Sequence, residues 1–361
     1  MWIVWGGIPL GVARRVLIVN GLWTMLVIGL ASAILGPSLP ALAQTYALSW
    51  GEAGRVFVAQ FGGKLLAVLL VWAMGQRWAA KGIATVGGVL LAVGLLLVGV
   101  IPSFGAVLGA IFVFGLGHGW VDVGFNSLLT QALQPEPGAS GTTASGLNFV
   151  HLFFGMGALS GPMIVSVLQR RTGHWQGAFL LAAFCAMLIP LGLWMIRGAY
   201  LGRQPTSDAA DTVCMGRVIL IAMAICFLYG GLETAIGGWL YTFLIERADF
   251  EMQVATAGVT LYWGLLTGGR LLSAWGVRRL GDLNWLLALG GVLCMAMVIG
   301  LMAGSQPGAL VLAVTGLGLS GIFPTMVGWV TSGAGGSAAT TAIAKLVASS
   351  SLGAVMVPWM V

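Results

Sequence analysis

Long apolar runs, broken by short polar segments, recur along almost the whole chain of 361 residues. An apolar run of about 20 residues has the length that crosses a bilayer as an α-helix. Each run therefore predicts one transmembrane helix. The runs cover residues 16–43, 53–75, 82–101, 105–130, 142–168, 175–197, 217–245, 253–277, 283–304, 308–331 and 338–361. This pattern predicts an all-α membrane protein of about eleven helices.

The composition agrees with this class. Hydrophobic residues make up 59% of the chain and charged residues only 7%, against about 25% charged residues in an average soluble domain. The only long polar interruption is "GAYLGRQPTSDAADTVCMG" at 198–216. We expect it to be a cytoplasmic linker between an N-terminal six-helix half, residues 1–197, and a C-terminal half, residues 217–361, in which five helices are visible.

Basic residues are unevenly shared between the two sides of the predicted bundle. If the N-terminus is cytoplasmic, that side carries Arg14, Arg15, Arg77, Lys81, Arg197, Arg203, Arg217, Arg278 and Arg279, and the other carries Arg55, Arg170, Arg171 and Arg247. Cytoplasmic loops are enriched in Lys and Arg, so we expect a multi-pass protein of the cell inner membrane with a cytoplasmic N-terminus. The net charge of +6 then reflects orientation and does not indicate a nucleic-acid partner.

The two halves carry the same short motifs in the same order. "GLASAILGP" (29–37) matches "GLETAIGGW" (231–239) at five of nine positions, and "GGKLL" (62–66) matches "GGRLL" (268–272). "GLG" at 115–117 and 316–318 forms a third pair, and the segments 157–162 and 353–358 form a fourth. Similar offsets of about 200 residues indicate duplication of one unit. This parallel repeat resembles that of the major facilitator superfamily.

Longer segments strengthen the resemblance. "GPSLPALAQTYALSWGEAGRVFVAQFGGKLL" (36–66), "NFVHLFFGMGALSGP" (148–162), "YGGLETAIGGWLYTFL" (229–244), "YWGLLTGGRLL" (262–272) and "GLGLSGIFPTMV" (316–327) are similar to the branch of that superfamily containing fucose permeases and related sugar transporters. The resemblance implies alternating access of two halves around a site at mid-membrane, with a sugar as the leading solute. It also implies a twelfth helix, whereas this sequence stops near the end of the eleventh. A truncated chain and a naturally short one are therefore both expectations.

A polar stripe lies on the fourth predicted helix. His118, Asp122 and Asn126 are spaced four residues apart, so they share one face, which we expect to line the central cavity. "GLGHGWVDVGFN" (115–126) also resembles the fucose-permease segment with a carboxylate followed by an Asn four residues later. The resemblance implies proton coupling at Asp122 and substrate contact at Asn126. The first helix departs from that pattern, because Ala31 and Ser32 stand where the permeases carry another acid.

Further solute-binding candidates lie on the fifth and seventh helices. Asn148 and His151 are three residues apart and share a face. Tyr229 and Trp239 flank the "GLETAIGG" segment, and aromatic rings stack on the apolar faces of sugars. Each of these residues has a plainer interpretation as a packing or interfacial residue.

Glu233 is the second carboxylate predicted at membrane depth. A buried charge is costly there, so it needs a partner or a wet cavity. The protonation of Asp122 and Glu233 can follow the side to which the cavity opens, so we expect both to couple protons. Lys345 on the eleventh helix is the expected partner of Glu233, as part of the coupling or as a static ion pair. Sodium coupling remains an alternative.

Four basic residues are gating candidates. Lys64 and Arg270 occupy equivalent positions in the repeat, and Arg278 and Arg279 end the eighth helix. Arg270, with these two and Asp282, is expected to act as a latch between conformations. Lys64 fits either a latch or the cavity.

These patterns predict a secondary active transporter that moves a small polar solute, with a sugar first, by proton-coupled symport. Efflux of an amphipathic compound and a truncated or non-transporting homologue are the alternatives. No nucleophile–base set, metal cluster or nucleotide loop is recognisable, so we do not expect an enzyme, a catalytic residue or a bound metal. No cofactor is expected either, and the driving force is expected to be a proton gradient or a sodium gradient. The expected partners are the solute and the bilayer, for a monomer.

Overall fold

The computed structural model of the protein describes residues 12–74, 78–133, 143–196, 212–246, 248–302, 306–332 and 336–357. Within these ranges the chain is almost wholly helical and contains no β-strand. The prediction of an all-α membrane protein with about eleven helices is confirmed.

Six long helices lie in the described part of the first half. They are α1 Val12–Thr45, α2 Arg55–Met74, α3 Ala80–Val100, α4 Phe104–Ala132, α5 Thr143–Thr172 and α6 Gln176–Met195. A short helical turn, Trp50–Ala53, precedes α2. The loops between these helices carry Pro, Gly or charged residues, which end helices readily.

The second half follows the same plan. Its helices are α7 Thr212–Glu246, α8 Met252–Leu280, α9 Asp282–Met302, α10, which comprises the segments Gln306–Val311, Leu312–Val314, Thr315–Leu319 and Ile322–Thr331, and α11 Gly336–Met356. Helix α7 begins inside the stretch predicted to be linker, and residues 198–211 of that stretch lie outside the described residues.

Ten helices in the described part of the chain are long and apolar enough to cross a membrane. Helix α8 is not among them, because Arg270 and several Gly and Thr residues dilute its apolar content. It is nevertheless 29 residues long and packs within the bundle against α5 and α7. Large apolar side chains such as Phe184, Trp194 and Met302 are exposed, as expected for a surface that faces lipid.

The internal repeat is visible in how the helices pack. Gly157 of α5 lies against the Leu26 carbonyl of α1, and its counterpart Gly353 of α11 lies against the Phe227 carbonyl of α7. Likewise Gly115 of α4 lies against the carbonyl of Gln60, and Gly316 of α10 against that of Tyr262. A side chain at any of these glycines would overlap the neighbouring backbone. The matched motifs are therefore matched close contacts between helices.

The halves contact each other near the end of the bundle where α6 ends and α7 begins, here called the linker end. Hydrogen bonds between the halves in the described residues include Ser127–Thr340 at 2.5 Å, Ser145–Ala274 at 2.5 Å, Asn148–Thr325 at 2.9 Å and Arg270–His151 at 2.8 Å. Each of these residues lies in the part of its helix nearer to the linker end. The structure is therefore closed at this end.

Glycines permit that closure. A Cβ atom on Gly328 of α10 would overlap the backbone of Ala144 on α5, and one on Gly155 of α5 would overlap Thr267 on α8. Both contacts join the two halves. Larger residues at these positions would hold the helices apart.

Candidate functional site

A compact cluster of charges lies at mid-membrane in the first half. Lys64 of α2 places its Nζ 2.5 Å from Oδ2 of Asp122 on α4. Nε2 of His118 is 3.5 Å from the same Oδ2 and 3.5 Å from the Lys64 ammonium. The His118 ring stacks on Phe114, with centroids 6.2 Å apart, which fixes its orientation. We call Lys64, His118 and Asp122 the N-cluster.

The predicted stripe continues from α4 to α5. Asn126 donates to the backbone carbonyl of Asp122 at 2.8 Å, and its Oδ1 lies 3.1 Å from His151 Nε2. Asn148, one turn before His151, donates to the hydroxyl of Thr325 on α10 at 2.9 Å. The Oδ1 of Asn148 is buried and has no hydrogen-bond donor among the described residues. The stripe therefore runs from the N-cluster to the interface between the halves.

A second cluster lies in the other half around Glu233 of α7. Its Oε1 is 3.7 Å from Nη2 of Arg270 on α8, and the Tyr229 hydroxyl hydrogen-bonds to the carboxylate. The Tyr262 hydroxyl donates to the Glu233 backbone carbonyl at 3.3 Å. Oε1 of Glu233 is buried and accepts no hydrogen bond from the described residues. We call Glu233, Arg270 and Tyr229 the C-cluster.

The partner of Glu233 differs from the prediction. Lys345 was expected to pair with it, but the cation beside Glu233 is Arg270. Lys345 lies half-buried on α11 and forms no ion pair with a described residue. Arg270 reaches Glu233 because α8 turns its guanidinium inward, where it is only 2% exposed.

Arg270 also contacts two further helices, α5 and α10. Its Nη1 donates to the His151 carbonyl of α5 at 2.8 Å, and its Nε donates to the Ser320 carbonyl of α10 at 3.3 Å. Pro324 has no N–H, so the Ser320 carbonyl lacks its helical donor four residues on. The guanidinium also lies over the Phe154 ring, 4.9 Å from its centroid. Arg270 thus joins the second half to the first.

The two clusters lie within electrostatic reach of each other. Lys64 and Asp122 are near enough to interact electrostatically with Glu233, although they belong to the opposite half. The side chains of Lys64, Asp122 and Glu233 remain 16%, 11% and 20% exposed, whereas the cross-half contacts close the linker end. The charged groups are therefore accessible from the other end of the bundle.

The other gating candidates lie elsewhere. Arg278 and Arg279 are exposed in the last turn of α8, where Arg279 lies 5.9 Å from the Trp275 ring centroid. Arg270 is therefore separate from the two arginines with which it was grouped, and Lys64 belongs to the N-cluster. The side chain of Trp239 lies outside the described residues.

Sequence reasoning missed two contributors from α10. Phe323 stacks on Tyr229 with centroids 5.9 Å apart and meets the His151 ring edge-on at 5.9 Å. Thr325 holds Asn148 across the interface. A helix-breaking Pro324 within the apolar run "GIFPTMV" was the signal that could have drawn attention to both.

Comparison with known proteins agrees with this architecture. Residues 21–358 match the family model described as Major Facilitator Superfamily. The chain is 24% identical over 282 residues to Bypass of stop codon protein 6 of Saccharomyces cerevisiae, which covers 68% of this chain and 54% of the yeast protein. The matched part thus spans about half of that relative. An uncharacterized MFS-type transporter of Yersinia pestis is 25% identical over 308 residues, covering 82% of this chain and 76% of that protein.

Solved structures share the fold. The MFS transporter FucP in the outward conformation superposes with a TM-score of 0.77 at 18% identity, over 97% of this chain and 91% of that one. A second structure, described as the E. coli fucose:proton symporter FucP, gives a TM-score of 0.74 at 18% identity, over 96% and 90%. The proton:xylose symporter XylE gives 0.72 at 14% identity, over 96% and 88%. With a family match over most of its length, this multi-pass membrane protein belongs to the Major Facilitator Superfamily, a family of transporters and not of enzymes.

Proposed function

We propose that the protein moves a small polar solute, of the sugar class, across the inner membrane in symport with protons. The observation that carries this proposal is the pair of membrane-depth carboxylates, one in each half, each placed beside a basic side chain and each still partly exposed. Burying a charge at this depth costs free energy, so the charged residues found there are usually paired, functional or both. Two such charges facing one cavity are what coupled transport needs.

The coupling step follows from charge balance. With Asp122 ionised beside Lys64, and Glu233 ionised beside Arg270, each cluster is close to neutral. A proton taken up by either carboxylate leaves its cation unbalanced and weakens that ion pair. Binding of solute hydroxyls to the freed groups then favours the change of conformation, so proton and solute cross together.

Aromatic and amide groups around the clusters suit a sugar. Tyr229 and Phe323 form a stacked pair of rings, and Asn126 and His151 form a hydrogen-bonded pair on the facing half that a solute could engage in place of each other. Rings cover the apolar faces of sugars, and amides and imidazoles bind their hydroxyls. FucP and XylE, which share the fold, are described as fucose:proton and proton:xylose symporters.

In this proposal the linker end is cytoplasmic, and the structure corresponds to a state open to the outside. Arg270 serves as the gating residue, since it holds the linker end closed through the His151 carbonyl. Lys64 sets the charge of the cavity, and Arg278 and Arg279 meet anionic lipid or the loops at the cytoplasmic surface. Lys345 and Trp239 complete the cavity in another state, and the protein works as a monomer.

Uptake into proteoliposomes tests the proposal. We expect an imposed pH gradient, acidic outside, to drive uptake of one member of a panel of radiolabelled hexoses, pentoses and small organic acids. Asp122→Asn and Glu233→Gln should each abolish the pH-driven component, because an amide cannot take up the proton. Solute exchange without a gradient should survive, since it needs no net proton movement.

The matched control is Glu251→Gln, which changes an exposed acid just before α8, outside both clusters. It should leave pH-driven uptake unchanged. Full pH-driven uptake by both Asp122→Asn and Glu233→Gln would overturn the coupling assignment.

A second candidate function is proton-driven efflux of an amphipathic compound. The middle of α1 favours this function, because Ala31 and Ser32 stand there and neither is an acid. Ala31 is buried, and the Ser32 hydroxyl donates to the Ile28 carbonyl of the same helix. Drug susceptibility of cells with and without the protein separates the two functions. Increased resistance with no sugar uptake favours efflux.

A further inference from the structure

The N-cluster places an ammonium group where a coupling cation would bind. Lys64 Nζ lies 2.5 Å from Asp122 Oδ2, in direct contact with the carboxylate at mid-membrane. His118 approaches the same oxygen from α4 itself, 3.5 Å away. The exposed fraction of the Lys64 side chain is only 16%, so little solvent separates the two charges. Two nitrogen groups of the protein thus lie beside Oδ2 of Asp122.

A sodium ion needs a different environment. Hard cations take several oxygen ligands, such as carboxylates, carbonyls and hydroxyls. Two positive charges a few ångströms apart repel strongly away from bulk water. While the ammonium of Lys64 occupies its position, a sodium ion cannot approach Oδ2 of Asp122.

The other carboxylate offers no alternative. Asp122 and Glu233 are the acids at membrane depth among the described residues, and Glu233 has the Arg270 guanidinium beside it. Its remaining neighbours are the hydroxyls of Tyr229 and Tyr262. The charged or titratable side chains near the two acids are therefore of two kinds. Nitrogen groups come from Lys64, His118, His151 and Arg270, and hydroxyl groups come from Tyr229 and Tyr262.

We propose that Lys64 is a built-in cation that fills a monovalent-cation site at Asp122 and makes the transporter independent of sodium. This inference rests on the proposed proton symport and assigns its ion. When Asp122 accepts one proton from the open side, it becomes neutral and Lys64 keeps its charge. The pair then changes from net zero to plus one, and release of that proton on the other side restores it.

Replacement of Lys64 exposes the site. In Lys64→Ser the ammonium is gone and a hydroxyl is added, so a position beside Asp122 Oδ2 is open, and His118 Nε2 is the nitrogen that remains near it. Sodium ions should then bind and stabilise the variant, since a ligand that binds only the folded state raises its melting temperature. The additional change Asp122→Asn should remove this response.

The experiment uses the purified full chain and sodium itself as the probe. Tm is measured in sodium chloride and in choline chloride at equal ionic strength. The wild type should melt at the same temperature in both salts. Lys64→Ser should gain several degrees in sodium, and Lys64→Ser/Asp122→Asn should not. Lys81→Ser is the control, because it removes a lysine outside both clusters, one that donates to the Ile196 carbonyl at the linker end, and it should gain nothing.

Saturable binding of radioactive sodium to the wild type, lost in Asp122→Asn, would overturn the inference. A folded Lys64→Ser protein without any sodium response would overturn it as well. If Lys64→Ser does not fold, the wild-type sodium measurement decides alone. A third outcome is a wild type that does not respond to sodium and shows no pH-driven uptake of any solute. It would refute the proposed proton symport but not the role of Lys64 as a built-in cation.

Discussion

The N-cluster and the C-cluster descend from the same repeat but use their cations differently. Lys64 and Arg270 are repeat counterparts on α2 and α8, and each lies beside a carboxylate. The lysine is in close contact with Asp122 and stays within its own half. The arginine is 3.7 Å from Glu233 and donates its hydrogen bonds to two backbone carbonyls, one of them in the other half.

Side-chain chemistry explains the difference. An ammonium is a compact charge that suits one strong partner, whereas a guanidinium spreads several donors in a planar fork. Only the arginine can hold Ser320, His151 and Glu233 at once. One half therefore has a self-contained ion pair, and the other has a cation that also joins the halves.

The largest expected loss of stability comes from removing Arg270, the cation that joins the two halves. Arg270→Met leaves Glu233 without its charged partner and deprives two buried carbonyls of their donors. Removal of one member of a buried ion pair typically costs about 3–5 kcal/mol. Thermal unfolding in detergent should show a clear loss of stability. Arg279→Met, which removes an exposed arginine from the same helix, should change little.

The second-largest effect is a difference between the two clusters in how far a second substitution restores the free energy of unfolding. Asp122→Asn should restore most of the stability lost in Lys64→Met, because neutral groups then face each other. Glu233→Gln should restore less in Arg270→Met, since the carbonyls of His151 and Ser320 still lack a donor, a residual cost of about 1–3 kcal/mol. Unfolding curves of the four single and two double variants measure this. Equal rescue in both clusters would contradict the asymmetry.

Packing at the linker end offers a third test. Gly328→Leu should overlap the Ala144 backbone and destabilise the closed state by about 1–3 kcal/mol, moving the population toward opening at that end. A cysteine in place of Ser145, buried at the interface, should then react faster with a maleimide. Gly290→Leu is the control, since nothing lies within 4 Å of a Cβ there. Unchanged labelling in Gly328→Leu would mean that closure does not depend on this contact.

The smallest expected effect concerns a single hydroxyl in the C-cluster. Tyr229→Phe keeps the ring stacked on Phe323 and removes the hydrogen bond to Glu233, a loss of about 0.5–1.5 kcal/mol. Tyr46→Phe removes a comparable hydrogen bond, to the Ile101 carbonyl far from the clusters. Both should lower Tm slightly, and only Tyr229→Phe should change the KM for the transported solute. Identical KM values would place Tyr229 outside the solute site.

The helices were predictable because the bilayer imposes their length and apolar character. The stripe of His118, Asp122 and Asn126 was predictable too, since spacing along one helix fixes which side chains share a face. The repeat predicted that Gly157 and Gly353 are equivalent, and both make the same close contact.

Contacts between helices were harder to foresee. Glu233 was assigned to Lys345, but its cation is Arg270, 37 positions along the chain on the next helix. That choice depends on how α7, α8 and α11 are rotated about their axes, and a single sequence does not contain this information. The role of Ser320 as an acceptor depended equally on where Pro324 lies relative to α8.

The different roles of Arg270 and Lys64 are tested most directly by measuring how readily the linker end opens in variants of each. A Ser145→Cys reporter, in a chain whose native cysteines are replaced, is labelled with a maleimide in the Arg270→Gln and Lys64→Gln backgrounds. Both changes replace a cation by the same amide. The structure predicts that Arg270→Gln accelerates labelling clearly and that Lys64→Gln leaves it near the parent rate. Equal acceleration by both, or by neither, would contradict the assignment of Arg270 as the residue that joins the halves.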